Sequence, residues 1–267
     1  MVPKDYPEIL YKYRNWTNDF NKNILLKNEL YLSSPKDFND PFDCRIPDNY
    51  FLLDTPDKID QYINGVVERH MQLLISRDLN IVDEKKRMKE KLSDLGTIQL
   101  ENEKVTFDSQ DERLGILCLS ERWDSILMWS HYADLHKGYC VGFHENKLRE
   151  SGLFGKGGPV IYSTDFPLLS PLDRNIEKKS FLETHSKAED WAYEKEYRLM
   201  KLFYPELPHE SDRIIKIPDD FFAEVIIGLA TPNSAKLEII SICKQKNIKC
   251  YVTNKIPFEF KISRHLL

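Results

Sequence analysis

The chain has 267 residues, of which 41% are hydrophobic and 30% charged, with a formal net charge of −5. Those proportions fit a folded globular protein and exclude wholesale disorder. The acidic balance argues against a salt-sensitive grip on extended nucleic acid, which needs a basic surface, yet it leaves room for a local basic pocket for one phosphate.

Residues 9–13 read as a short, aromatic-rich strand, after which Thr17 or Asn18 can cap a helix ending near Lys27. Residues 30–32 resume an extended pattern, and 33–43 (SSPKDFNDPFD) carry loop chemistry, because proline pushes its predecessor away from helix and Asn/Asp satisfy turn backbone. In 57–78, Ile59, Ile63, Val66, Val67, Met71 and Leu74 recur at helical spacing, and 82–100 continues with Met88, Leu92 and Leu95 under a coat of Lys and Glu. The stretch 57–104 therefore reads as an inserted helical hairpin, too short to hold a core of its own.

A buried strand is expected at 115–119, then a helix capped by Asp124 and stopped by Gly138. Strands follow at 139–143 and 160–163, with Gly155-Lys-Gly-Gly158 read as a turn because it lacks the Walker spacing. A charged helix covers 175–187, and strands are expected at 194–203, 213–217 and 224–228. A helix at 234–246 and strands at 249–253 and 258–262 close the chain. Short strands and helices without regular βαβ alternation predict a single α+β domain over 1–267.

The five cysteines, Cys44, Cys118, Cys140, Cys243 and Cys250, are widely spaced with no C-x-x-C pair, so free buried thiols are expected and structural zinc is not. The opening Met1–Pro7 lacks the apolar core of a signal peptide, and the longest apolar runs, 114–119 and 225–230, are too short to span a bilayer. A soluble, cytoplasmic protein is the expectation.

Four segments carry candidate chemistry. In Trp191–Leu199 (WAYEKEYRL), an extended chain places Glu194, Glu196 and Arg198 on one face, leading into Met200 and Leu202. Such a wall lets opposed charge and desolvation tune ionisation, and a carboxylate there can act as a base or stabilise a cation. A plain ion pair serves structure equally well. In Ser120–Gly138, Trp129, His131 and Tyr132 crowd a short helix with His136 below, offering aromatic faces for a nucleobase or nicotinamide and a donor for phosphate or ribose, although core packing of Trp129 and a satisfied, half-buried His131 account for the cluster slightly better. In Phe38–Asp43, a rigid turn can aim Asn39 or Asp40 into a cleft, although an ordinary Asx turn explains it too. In Tyr11–Arg14, the planar fork of Arg14 suits phosphate, although an exposed strand-end arginine is the commoner case. G-x-G-x-x-G, G-x-S-x-G and H-E-x-x-H are all missing, so Rossmann, hydrolase-elbow and zincin readings have no footing.

Together, L-Y-K-Y-R, Y-L-S-S-P-x-x-F-N-D-P-F-D, M-W-S-H-Y-A-D-x-H-K-G and W-x-Y-E-K-E-Y-R-L resemble the bacterial family catalogued as domain of unknown function 2971, from about Leu10 to Gly228. A second resemblance is to ADP-ribosyltransferases of the arginine–serine–glutamate type, through Tyr13-Arg14, Tyr162-Ser163-Thr164 and Glu194-Lys-Glu196 in that order. It implies a mixed or antiparallel split sheet and NAD as substrate. It also implies that Arg14 holds the phosphates, Ser163 supports the nicotinamide ribose, Glu196 stabilises the cation formed as nicotinamide leaves, and Glu194 orients the acceptor. Tyr13, Asn39, Asp40, Trp129, His131, Tyr132 and Arg198 would line the nucleotide site. The expectation is thus an NAD-cleaving transferase, as in toxins or phage defence, with a nucleotide-like small molecule as partner and no resident metal. A non-catalytic nucleotide sensor is the alternative. A Mg²⁺ nuclease built on Asp40, Asp43, Glu194 and Glu196 is the third reading.

Overall fold

A computed structural model describes residues 6–267; most of the Met1–Pro7 segment read above for a leader lies outside them. In chain order the elements are β1 (Ile9–Arg14), α1 (Asp19–Lys27), β2 (Glu29–Tyr31), α2 (Pro56–Ser76), α3 (Ile81–Lys91), α4 (Leu95–Arg113), β3 (Leu114–Ser120), α5 (Ile126–Tyr132), β4 (Tyr139–His144) and α6 (Glu145–Glu150). There follow β5 (Lys156–Pro159), β6 (Ile161–Ser163), α7 (Ile176–His185), β7 (Ser186–Ala188), β8 (Glu196–Leu202), β9 (Ile214–Lys216), β10 (Phe222–Ile227), α8 (Asn233–Lys246), β11 (Lys249–Lys255) and β12 (Ile262–Leu266). The α+β class holds.

The main sheet has eight strands in the order β12-β11-β10-β4-β1-β3-β8-β5. Only β10 and β11 run parallel within it, so it is mixed. β1 pairs with β4 along its whole length, from Ile9↔His144 to Arg14↔Tyr139, but touches β3 through the single pair Tyr11↔Ser120. The sheet therefore opens beyond Tyr11. Its main core face carries Leu10, Leu117, Leu119, Val141, Tyr197, Leu199 and Val225 against α1, α6 and α8. On the other face Tyr11, Tyr13, Cys140 and Ile226 pack with Met128 and Trp129 of α5.

Local chemistry explains the element ends. Asn18 accepts the Phe20 N–H to start α1, and Asn28 ends it in the left-handed region. Ser125, rather than Asp124, caps α5 by accepting from the Met128 N–H. α5 ends at Tyr132, short of Gly138, because Asp134, Leu135 and His136 all take positive φ. Gly138 then passes so close to β1 that a Cβ would stand 2.1 Å from the Arg14 carbonyl oxygen.

Four expectations are corrected. The 57–104 hairpin is three helices, α2 to α4, because Asp94 accepts from the Thr97 N–H and begins a fresh helix. They share an apolar cluster of Leu53, Ile63, Val67 and Leu92, separate from the main core. Residues 155–158 are not a turn; they enter edge strand β5, where a Cβ on Gly157 would meet Leu199 at 2.5 Å. The final strand is β12, not 258–262, since Phe258 at φ +63 turns the chain. Helix α7 ends at His185, which frees 186–188 to pair with β6. All five cysteines are free thiols, as expected. Among the described residues no helix is long and apolar enough to cross a membrane.

Candidate functional site

Where β1 leaves β3, a cleft of about 410 Å³ opens between the two strands. Lys12 and Arg14 alternate with Tyr11 and Tyr13 along β1, yet all four line the cleft because no ladder from β3 covers the strand there. The opposite side is made by Glu194 and Glu196, by His131 and Tyr132 of α5, and by Phe38, Asn39 and Asp43 of the Phe38–Asp43 turn. Arg14, His131 and Glu196, from three distant segments, therefore share one cavity.

The acidic side is an ion cluster buried from water. β8 alternates as the sequence predicts: Tyr197 and Leu199 enter the main core, while Glu196 and Arg198 take the other face. Arg198 is fully buried and holds Glu196 through Nε at 2.8 Å and Nη2 at 2.8 Å, and Asp43 through Nη1 at 2.8 Å and Nη2 at 2.6 Å. Its Nη1 also donates to the Thr184 carbonyl at 2.7 Å. Lys187 donates to Glu194 at 2.7 Å and Glu196 at 3.3 Å, and lies 3.4 Å from Asp43. Three carboxylates face two cations, so one net negative charge remains.

Glu194 reaches this cluster by a route the alternation argument does not contain. It ends a 3-10 turn (Glu189–Glu194), and Lys195, left-handed at φ 45, redirects the chain into β8. Its Oε1 accepts from the Tyr132 hydroxyl at 2.6 Å, and the Asn39 amide reaches that hydroxyl at 3.5 Å. Tyr193 holds His131 Nδ1 at 2.9 Å.

Burial alone would raise the Glu196 pKa, but the Arg198 guanidinium, followed by Lys187, holds the carboxyl well below its ordinary range. Lys187 is likewise pushed up against its own burial by Glu196, Asp43 and Glu194. Burial, then its bond to Glu194, raises Tyr132, which stays a neutral donor.

The other side of the cleft is basic and poorly compensated. Arg14 is half-buried; its side chain donates to the Tyr13 carbonyl at 3.3 Å and forms no ion pair among the described residues. Burial lowers its pKa. Lys12 donates to the Cys118 carbonyl at 2.5 Å, bridging the gap where the ladder is missing. Burial and the neighbouring Arg14 bring Lys12 down to about 7.

Four sequence candidates lie elsewhere. Trp129 is a core residue: fully buried, edge-on to Tyr13 at 5.2 Å, with its Nε1 donating to the Trp123 carbonyl at 2.7 Å. Arg198 supports the carboxylates without lining the cleft. Asp40 and Ser163 line a second cavity instead, because the chain turns between Asn39 and Asp40 and because β6 pairs with β7 away from the split. The serine expected to support a ribose is thus absent from the cleft. Conversely, sequence reasoning passed over Lys12 and Lys187. Lys12 stands inside the Tyr11–Arg14 block, where Arg14 alone reads as the phosphate ligand, and Lys187 sits between Ser186 and Ala188 with no motif to mark it.

No curated protein and no solved structure gives a significant match to the chain. Residues 128–199, from α5 into β8, match the model of the family described as "Protein of unknown function (DUF2971)", the family that the sequence blocks resemble, and the match takes in His131, Tyr132, Lys187, Glu194 and Glu196.

Proposed function

We propose that the cleft binds a bipolar nucleotide, with oxidised NAD as the form that suits it, and that the protein cleaves the bond to nicotinamide as an ADP-ribosyltransferase-like enzyme. The observation that carries this reading is the charge separation across one cavity. Arg14 and Lys12, neither of them in an ion pair among the described residues, line one side, and a cluster with one net negative charge lines the other. A pyrophosphate suits the first and a cationic pyridinium the second. Tyr13, Phe38, His131 and Tyr132 supply aromatic faces between them.

In this reading Arg14 and Lys12 hold the pyrophosphate. Glu196, kept ionised by Arg198, favours positive charge on the ribose side as the C1′–nitrogen bond breaks and its electron pair departs with neutral nicotinamide. Water or an acceptor hydroxyl then bonds to C1′ and gives up its proton to solvent water at the mouth of the cleft. Glu194, fixed by Lys187 and Tyr132, orients that oxygen. The test is incubation with NAD and quantification of free nicotinamide. Release by the wild type, reduced at least about 100-fold in Glu196→Gln with circular dichroism unchanged, is the expected result. Absence of release, or equal release by a folded Glu196→Gln protein, rejects catalysis.

One observation favours a non-catalytic sensor as the second reading: Glu194 and Glu196 are both already engaged by Lys187, Arg198 or Tyr132. NAD binding without turnover is its signature. The Mg²⁺ nuclease reading has less support, since the Lys187 ammonium stands among Asp43, Glu194 and Glu196 and Asp40 lies in the other cavity.

Lys12 makes a further expected result. Its charge is present below about pH 7 and lost above it. Affinity for ADP-ribose, whose pyrophosphate does not titrate in that range, should fall as pH rises through 7. A Lys12→Met variant should bind more weakly and without that slope. Titrations across the range check both.

A further inference from the structure

A second cavity, of about 480 Å³, lies beyond the acidic side of the cleft, and Lys187 borders both. Its walls are mainly apolar: Phe42, Ile46, Ile161, Phe166, Pro167 and Leu182. Asp40, Ser163, Thr164, Asp165, Ser186 and Lys187 interrupt them, and two of these carry buried oxygens without a partner among the described residues. Asp40 is 6% exposed and Ser186 3% exposed, and both line the cavity. The Asp40 Oδ1 accepts from the Phe42 N–H at 2.9 Å, whereas its Oδ2 has no partner among the described residues. The Ser186 Oγ has none either.

A buried carboxylate oxygen without a donor is costly, and apolar walls sharpen the cost. Lys187 does not relieve it, because its ammonium is committed to Glu194, Glu196 and Asp43. The remaining charged lining residue, Asp165, adds to the acidity. A guest that satisfies this site brings an N–H donor and a positive charge on an apolar body, and the volume falls in the range of small-molecule pockets.

We infer that this cavity is a binding site for a small organic amine, in which Asp40 and Ser186 receive the ammonium group and the apolar walls enclose an aromatic or aliphatic body. The inference does not depend on the nucleotide reading, since none of the amine-holding residues lines the cleft. Phenethylamine is the probe and 2-phenylethanol its neutral counterpart, each titrated calorimetrically into the full chain. The wild type should bind the amine at least about tenfold more tightly than the alcohol, as expected for a charge-assisted hydrogen bond. Asp40→Asn should remove that preference, and Arg14→Ala should leave it intact. Equal binding of amine and alcohol by the wild type, or no binding of either, overturns the proposal. So does an amine preference that survives Asp40→Asn or disappears in Arg14→Ala. Should Asp40→Asn fold poorly, Asp40→Ser takes its place with the same expected loss.

Discussion

Replacing Arg198 by methionine is expected to cost roughly 3–5 kcal/mol of stability, read as a lower urea midpoint. The guanidinium is fully buried, and its five contacts with Asp43, Glu196 and the Thr184 carbonyl account for most of the hydrogen bonding at the base of the acidic cluster. Removing it leaves two carboxylates buried against Lys187 alone. An Arg198→Lys substitution should recover little. An ammonium cannot present Nε and Nη2 to one carboxylate and both Nη atoms to another, as the planar fork does. Adding Asp43→Asn to Arg198→Met should lessen the loss, because it removes one of the uncompensated charges, and a double-mutant cycle reads that coupling. Strictly additive losses would mean that the two side chains do not act as a unit.

The alternation of Glu196, Arg198 and Met200 on one strand face was legible from the sequence, because a two-residue period is a local property. The partners of that face were not. Asp43 meets Arg198 across 155 residues, and no local pattern reports such a contact. Glu194 joins the same cluster through a 3-10 turn and the left-handed Lys195, so it shares a face with Glu196 by a different backbone route from the extended one expected. Trp129 misled in the opposite direction. An aromatic-rich short helix suggests stacking surfaces, but burial against Tyr13 makes this indole a structural residue. Asn39 and Asp40, adjacent in sequence, serve different cavities because the turn sends them apart. Lys12 was overlooked for another reason: within the Tyr11–Arg14 block a lysine on a strand reads as solvated, and only the missing β1–β3 ladder places it indoors.

Arg14→Ala should weaken NAD binding by about 100-fold while leaving the urea midpoint nearly unchanged. The first part follows from the bidentate, charge-assisted phosphate contact proposed for Arg14, which alanine cannot make. The second follows from what Arg14 does in the fold, which is little: a 3.3 Å bond to the neighbouring Tyr13 carbonyl and no ion pair among the described residues. Relief of its desolvation offsets the lost packing. Arg198 is consumed by carboxylates within the fold, and Arg14 lacks them among the described residues.

The charge separation across the cleft is tested most directly by calorimetric titration of the wild-type chain with oxidised and reduced NAD in parallel. The two ligands share their phosphates and differ chiefly in the charge of the nicotinamide ring. Opposition of Arg14 and Lys12 to the Glu194–Glu196 cluster predicts tighter binding of the oxidised form, with the preference lost in Glu196→Gln. Equal affinity for both forms, tighter binding of the reduced form, or no binding of either would contradict it.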